Sequence, residues 1–247
     1  MFSRKIYSQA RLLRGRSVKF FRLLRRPSYW AAMRNGVAAS VEHSSIGFNP
    51  DTRTVLDVGA SHGQFALLAT QLFPRARIVC FEPLPGPRAA IRNVLGDRVE
   101  IVPSAVGTET GLATINISAQ DDSSSLLPIG EKQVEEFPGT GNIGSLEVPV
   151  TTLDEAVSGK ITSPCLLKID VQGLELDVLK GASETLPLVD EALIECSFVE
   201  LYEGQPLADE IVNLMISKGL RLRGVHGVIY SSDGSAVEAD IYFSRVS

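Results

Sequence analysis

Two acidic residues of the sequence stand where apolar runs end, at places where an α/β protein can hold a ligand. Asp57 lies in the stretch LDVGASHGQF, residues 56–65, and Glu82 follows the next apolar run. Glycines at 59 and 63 flank the turn after Asp57, and glycine allows positive φ or a close approach of the backbone to a ligand. A carboxylate such as Glu82 can accept two hydrogen bonds from a ribose diol. The pattern therefore predicts a nucleoside site.

The turn after Asp57 lacks the features of a phosphate-binding loop. Its glycines follow a GxxxG spacing instead of the dinucleotide GxGxxG, and no GK[ST] follows as in a Walker A loop. A nucleoside without phosphates fits better, and S-adenosylmethionine meets that description. Asp57 would face its amino-acid end, and residues 104–106 its adenine. The predicted contact residues are Asp57, Gly59, Ala60, Ser61, Gly63, Glu82, Pro83, Ser104, Ala105 and Val106.

Two further acids are candidates for the chemistry of methyl transfer. The acceptor oxygen must be held near the methyl carbon while a nearby group takes its proton. Asp170 ends the run LLKID and could act as base or orient the acceptor, or it could cap the helix that follows. Glu195 lies in a predicted buried strand and needs a partner or a raised pKa, and Lys168 could pair with one of the two acids. Acids near Asp170 could hold Mg²⁺ through water, but the sequence has no tight ligand cluster, so we predict no metal.

Alternating strand and helix patterns position these residues. Short apolar runs alternate with amphipathic helices through most of the chain, which predicts a parallel sheet with right-handed crossovers. Residues 220–246 carry a Ser-Asp-Gly turn and predict an antiparallel hairpin, and the polar residues 119–144 indicate a lid or a long excursion. Strands are predicted at 54–59, 76–83, 99–107, 112–118, 164–173 and 191–201, with a strand and short helix in 146–157 and helices at 63–73, 84–96 and 206–219.

Charge divides the chain unevenly. Residues 1–35 carry ten Lys or Arg and no acid, whereas the remaining fourteen bases and all twenty-nine acids lie in 36–247. We therefore predict a basic amphipathic N-terminal segment at 1–35, a linker at 36–52 and one domain at 53–247. Residues 1–34 could lie on an anionic membrane surface, pack on the acidic body or a partner, or serve as a nucleic-acid arm.

The remaining bulk features predict a cytoplasmic protein, with peripheral contact at the inner face of the membrane as an open alternative. The sequence has no apolar run of 18 residues and no secretory signal pattern. Its three cysteines have no close pairing, which is typical of a reducing compartment. Assembly into a homo-oligomer is left open.

The body of the chain resembles the FkbM family of S-adenosylmethionine-dependent methyltransferases, from about residue 53 to the C-terminus. The resemblance implies an α/β, class I methyltransferase (Rossmann-like) fold: a mostly parallel seven-stranded sheet with helices on both faces and an antiparallel C-terminal hairpin. It also implies O-methylation of a hydroxyl on a sugar, a glycan or a natural product. Ser61 and His62 replace the more usual Asn and apolar residue. The stretches that carry the resemblance are VLDVGASHGQF, FEPLP, SSSLL, VTTLDE, LLKIDVQGLELDVLKGA, ECSFVELYEGQP and EADIYF.

Other functions are weighed against this one. A catalytically silent binding module could keep the same fold for scaffolding. An NAD-linked dehydrogenase is disfavoured by the GxxxG spacing. Nucleic-acid methylation is disfavoured because no [DN]PPY motif is present and because the acidic body opposes phosphate binding. We expect a small-molecule or glycan hydroxyl as the acceptor and no nucleic-acid partner.

Overall fold

A computed structural model describes residues 27–245 of the 247-residue chain. Most of the basic segment predicted at 1–35 therefore lies outside the described residues. No helix in the described range is both long and apolar enough to cross a bilayer. The strands of this range are β1 Thr54–Val58, β2 Arg77–Phe81, β3 Glu100–Val102, β4 Ala105–Val106, β5 Gly111–Ser118, β6 Asn142–Thr151, β7 Cys165–Ile169, β8 Glu191–Ser197, β9 Leu220–Tyr230 and β10 Ala236–Arg245. The α-helices are α1 Pro27–Arg34, α2 Gln64–Leu72, α3 Pro85–Leu95, α4 Glu131–Glu136, α5 Leu153–Val157, α6 Glu175–Lys180 and α7 Ala208–Ser217.

Seven strands form one twisted sheet in the order β3-β2-β1-β7-β8-β10-β9. Within this sheet, β3, β2, β1, β7 and β8 run parallel to one another. Strand β10 runs antiparallel to both of its neighbours, β8 and β9, as predicted for the C-terminal hairpin. The chain order reverses between β1 and β7, and in such a sheet ligands bind in the crevice at the carboxyl ends of the strands. The register places Asp57 beside Lys168 and Glu195 beside Asp240, so these pairs share a face.

Helices cover both faces of this sheet, and the central strands are buried on both sides. On β7, Leu166 packs with α2 and α3, whereas the next residue, Leu167, packs with α5, α6 and α7. All five residues of β1 and of β7 are buried. This explains why both strands read as continuous apolar runs in the sequence, as parallel strands covered by helices do.

The stretch predicted as one strand at 99–107 is split between two sheets. Residues of β3 extend the main sheet, while β4 pairs with β6 in a second sheet of order β4-β6-β5. Pro103 stands between the two strands and has no N–H to donate to a ladder, so the chain leaves the main sheet there. The predicted strand at 112–118 is β5 of this second sheet.

The stretch predicted as a linker at 36–52 packs against the domain. Val37, Ala39 and Val41 are buried, and Phe48 contacts the rings of Phe65, Phe73 and Tyr242 edge-on. These residues belong to the hydrophobic core on the α2 and α3 side of the sheet. The division of the chain at 35 and 52 stays a prediction, but the segment between these residues contributes to the fold.

Candidate functional site

The loop after β1 is shaped by two glycines whose conformation the fold requires. Gly59 has φ +76°, and a Cβ on it would stand 1.7 Å from the main-chain oxygen of Asp170. Gly63 has φ +87°, and a Cβ there would stand 3.2 Å from Cγ1 of Ile91. Both positions therefore suit glycine. Gly59 lets the loops after β1 and β7 touch, and Gly63 lets the start of α2 approach α3.

Glu82 follows β2 and holds the first loop in place. Its side chain is buried, its Oε2 accepts a hydrogen bond of 2.9 Å from the main-chain N–H of Ser61, and its Oε1 accepts one of 2.8 Å from Leu84. Burial raises the pKa of Glu82 to about 7, against the opposing effect of these two N–H donors. Each carboxylate oxygen can accept a second hydrogen bond, so the side chain can still bind a ligand hydroxyl.

A cavity of about 510 Å³ opens at the carboxyl ends of the central strands, within the size range of small-molecule sites. It contains both predicted catalytic residues, Asp170 and Glu195. Two predicted cofactor residues, Asp57 and Gly63, do not line it and stand behind its wall. The other predicted cofactor residues line the cavity: Gly59, Ala60, Ser61, Glu82, Pro83, Ser104, Ala105 and Val106.

Asp57 is a buried carboxylate without a hydrogen-bond partner. Its side chain is fully buried, and neither oxygen receives a hydrogen bond of normal geometry, although the main-chain N–H of Ala66 is near enough to lower its pKa. Burial raises its pKa to about 6, although Nζ of Lys168, 3.9 Å from Oδ1, opposes this shift. Buried polar groups are normally satisfied, so an orphaned acid just behind the first loop fits a site that receives a cationic group, such as the ammonium of S-adenosylmethionine.

Asp170 stands at the end of β7 and is held as an anion. Its Oδ2 lies 3.0 Å from Nζ of Lys168, and its Oδ1 accepts a hydrogen bond of 2.8 Å from Nε2 of Gln172. Burial alone would raise the pKa of Asp170, but Lys168 and Gln172 outweigh burial and hold the pKa below its usual value. The carboxylate makes no hydrogen bond that caps α6, so the helix-capping role considered as an alternative for Asp170 is not observed. About 31% of the side chain is exposed, which leaves it accessible from the cavity.

Glu195 lies beside Asp170 and carries the opposite pKa shift. Nε2 of Gln172 donates to its Oε2 at 2.8 Å, so one amide bridges the two carboxyl groups. Burial, followed by repulsion from Asp170 and Glu238, raises the pKa of Glu195 well above its usual value. The two shifts run in opposite directions: the surroundings of Asp170 favour its ionised form, and those of Glu195 favour its protonated form.

The bridge depends on the shape of the loop that follows Asp170. Gln172 adopts φ +56°, an uncommon value for a residue with a side chain. Its Oε1 accepts a hydrogen bond of 2.7 Å from the hydroxyl of Tyr202. Glu175, a buried acid in the first turn of α6, accepts hydrogen bonds from the main-chain N–H groups of Val171 and Gly173. Burial raises the pKa of Glu175 to about 7.

His43 and Asp240 are site residues that the sequence did not single out. Nε2 of His43 lies 2.9 Å from Oδ2 of Asp240, and both residues line the cavity. In the sequence, His43 continues the alternating series Val37, Ala39 and Val41, whose side chains are buried, and this alternation could have indicated that His43 faces the interior. The signal for Asp240 was the alternation of EADIYF, in which 238 and 240 share one face of a strand.

The polar excursion predicted at 119–144 covers part of the cavity. Asp121 Oδ2 lies 3.4 Å from Nε2 of His62 in the first loop, and Ser125 Oγ donates to the main-chain oxygen of Gln172 at 2.6 Å. Tyr202 also places its hydroxyl 3.0 Å from the main-chain oxygen of Ser123. Residues 120–126 line the cavity, so the excursion is anchored to the loops after β1, β7 and β8.

Four features of the structure define a class I methyltransferase: the order of the strands in the sheet, the loop after β1, the acid Glu82 at the end of β2 and the cavity at the strand ends. The cofactor of this class is S-adenosylmethionine. The family model described as the methyltransferase FkbM domain matches residues 57–222. The chain belongs to this family and is an S-adenosylmethionine-dependent methyltransferase. The match begins at Asp57 and ends within β9.

Curated relatives share moderate identity over much of the chain. The 2-O-methyltransferase NoeI of Sinorhizobium fredii is 32% identical over 185 residues, which cover 70% of this chain and 76% of the relative. The 31-O-demethyl-FK506 methyltransferase FkbM of Streptomyces tacrolimicus is 28% identical over 191 residues, covering 67% and 71%. The hexuronic acid methyltransferase AglP of Haloferax volcanii is 29% identical over 141 residues, covering 56% and 54%.

Proposed function

We propose that this protein transfers a methyl group to a hydroxyl of a sugar, a glycan or a natural-product small molecule. The observation that carries the proposal is the carboxyl pair of Asp170 and Glu195, bridged by Gln172 within the cavity at the strand ends. The relatives support an oxygen acceptor, because one is named as a 2-O-methyltransferase and another as a 31-O-demethyl-FK506 methyltransferase.

Residues on the β1–β4 side of the cavity would hold the cofactor. Glu82 would accept hydrogen bonds from the ribose hydroxyls, while residues 104–106 would border the adenine. Asp57 would supply negative charge behind the loop that receives the amino-acid end. When bound, S-adenosylmethionine supplies a methyl group activated by its sulfonium.

Asp170 is the proposed base. Lys168 and Gln172 keep its carboxylate ionised, so it can accept the proton of the acceptor hydroxyl as the new C–O bond forms. The acceptor oxygen becomes strongly acidic only during that step, and a carboxylate of low pKa is therefore sufficient. Glu195, which retains its proton, would donate a hydrogen bond that orients the acceptor.

Methylation of a panel of sugars and polyhydroxylated natural products tests this proposal. Release of S-adenosylhomocysteine would be followed together with mass spectrometry of the products. We expect a product heavier by one methyl group and resistant to mild alkali, as an ether is. A methyl group found only on nitrogen, sulfur, carbon or a carboxylate would overturn the proposed acceptor class.

A further inference from the structure

Building on the proposed function, we infer that the acceptor subsite selects an uncharged polyol and rejects an acceptor with a carboxylate or phosphate next to the reacting hydroxyl. The subsite is the part of the cavity bounded by the ends of β7, β8 and β10 and by the excursion after β5. Five acids form what we call the acceptor wall: Asp122, Asp170, Glu195, Glu238 and Asp240.

The sheet register brings the acceptor wall together. Glu195 on β8 is directly opposite Asp240 on β10, and Glu238 stands two residues away on the same face, opposite Ser197. Charges of the same sign directly opposite each other in a sheet destabilise it, so the register favours a protonated Glu195 opposite Asp240. Repulsion by Asp170 contributes to the raised pKa values of Asp122, Glu195 and Glu238, which places the four groups close together.

The described residues that line the cavity offer no free cationic side chain to an anionic acceptor. Lys168 is the one lysine or arginine of this lining, and it is paired with Asp170 at 3.0 Å and faces Asp57 at 3.9 Å. His43 is engaged with Asp240 through Nε2. A carboxylate or phosphate brought into the subsite would therefore be desolvated without a free positive side chain, which is unfavourable.

Hydroxyl groups complement the acceptor wall in both roles. Asp170 is ionised and only accepts hydrogen bonds, whereas Glu195 is protonated and can donate. The pKa of Glu238 is about 8, raised by burial and then by Asp170, so this residue can also donate at neutral pH. A hydroxyl donates and accepts, whereas an anion only accepts.

Matched glycosides test the inference with the full-length protein. Methyl transfer from labelled S-adenosylmethionine would be measured for 4-nitrophenyl glucoside and 4-nitrophenyl glucuronide, which differ by one carboxylate. We expect the glucoside to react at least about tenfold faster, which corresponds to about 1.4 kcal/mol. Glucuronide reacting as fast or faster would overturn the inference while leaving the proposed hydroxyl methylation intact.

Substitution of Glu238 provides the second arm. Measured at pH 9, above the pKa of about 8 at which Glu238 ionises, Glu238→Gln should reduce the preference for the glucoside by at least about threefold, because it removes a negative charge from the acceptor wall. Glu147→Gln, at an exposed position of β6 outside the cavity, should leave the preference unchanged. If the wild-type protein neither methylates the glucoside from S-adenosylmethionine nor, when bound to S-adenosylhomocysteine, contacts it in saturation-transfer NMR, the inference fails, although cofactor binding still stands.

Discussion

Oε2 of Glu82 lies 2.9 Å from the main-chain nitrogen of Ser61. This hydrogen bond connects the acid that ends the second strand of the sheet to the turn that follows the first strand. The residue proposed to hold the ribose therefore also fixes the loop around the rest of the cofactor. The family pattern usually has Asn at position 61, and here the contact is made by the main chain, which serine supplies equally well.

Glu82→Gln should weaken binding of S-adenosylmethionine by about 10- to 100-fold, the range expected for loss of hydrogen bonds to a charged group. Titration calorimetry of the wild type and the variant measures this change directly. Glu147→Gln, an exposed acid outside the cavity, serves as the control and should bind with wild-type affinity. Equal affinity for all three proteins would remove Glu82 from the cofactor site.

Asp170→Asn should lower kcat by about 10²- to 10⁴-fold, the usual contribution of a general base. Glu195→Ala should lower kcat by about tenfold, because it removes the hydrogen bond proposed to orient the acceptor. Affinity for S-adenosylmethionine should change by less than about threefold, because neither residue is proposed to hold the cofactor. Steady-state kinetics with an acceptor and calorimetry without one separate the two effects. A catalytically silent binding module would show no turnover to lose, and unchanged turnover in both variants would exclude this pair from catalysis.

Gln172→Leu should shift the pH profile of kcat to higher pH. The side-chain amide donates to ionised Asp170 and so lowers its pKa, and its loss should raise the pKa at which the base becomes active. The acidic limb of the profile should move upward by about one pH unit, and kcat at neutral pH should not fall through this shift, because the Asp170 carboxylate stays ionised there. A lower kcat without any movement of the limb would indicate only a structural role for Gln172.

Glu175 makes the stability of the protein depend on pH. The pKa of this carboxyl is about 7 in the folded protein against 4.5 for the free group, so the folded state binds more protons between these values. Stability should therefore fall as pH rises from about 4.5 to 7, and Glu175→Gln should reduce the fall by about 2 kcal/mol. Urea denaturation of the wild type and the variant at pH 5 and pH 8 measures this fall in the free energy of unfolding. A fall of the same size in the variant would contradict the pKa assigned to Glu175.

Removal of residues 1–26 should abolish binding to vesicles of anionic lipid while preserving affinity for S-adenosylmethionine. Nine of the ten basic residues of the N-terminal segment lie within this range, and each adds about 1 kcal/mol near an anionic surface. The deletion stops before α1 because Tyr29 and Ala32 are buried in the core. Cosedimentation at low salt is the measurement, and full-length protein that stays in the supernatant would exclude the membrane role.

Much of the fold could be predicted from local pattern. Fully buried parallel strands leave mostly apolar runs, and α2 and α3 leave helical periodicity, so the starts of these strands and the bounds of both helices were correct to within about two residues. The strands predicted to end at 173 and 201 end four residues earlier, at Ile169 and Ser197. The break at Pro103 was missed although the proline itself is a local signal for the end of a strand. Local pattern could not show that Ala105–Val106 then pairs with Asn142–Thr151, a strand distant in the sequence.

The site was predictable where residues follow a strand and unpredictable where partners come from elsewhere. Glu82 and Asp170 stand at strand ends and were found by that rule. His43 was missed because its partner Asp240 is 197 residues away, and only the folded chain brings them together. The hydrogen bonds of Gln172 to both Asp170 and Glu195 depend on an uncommon φ of +56°, and no local sequence pattern indicates this value.

A crystal structure of the protein with S-adenosylhomocysteine tests the central claim most directly. The account predicts the adenosine across the ends of β1, β2 and β4, with both ribose hydroxyls within hydrogen-bond distance of the Glu82 carboxylate. The homocysteine sulfur should point toward Asp170 and Glu195. A nucleoside bound elsewhere, or a Glu82 side chain directed away from the sugar, would contradict the account.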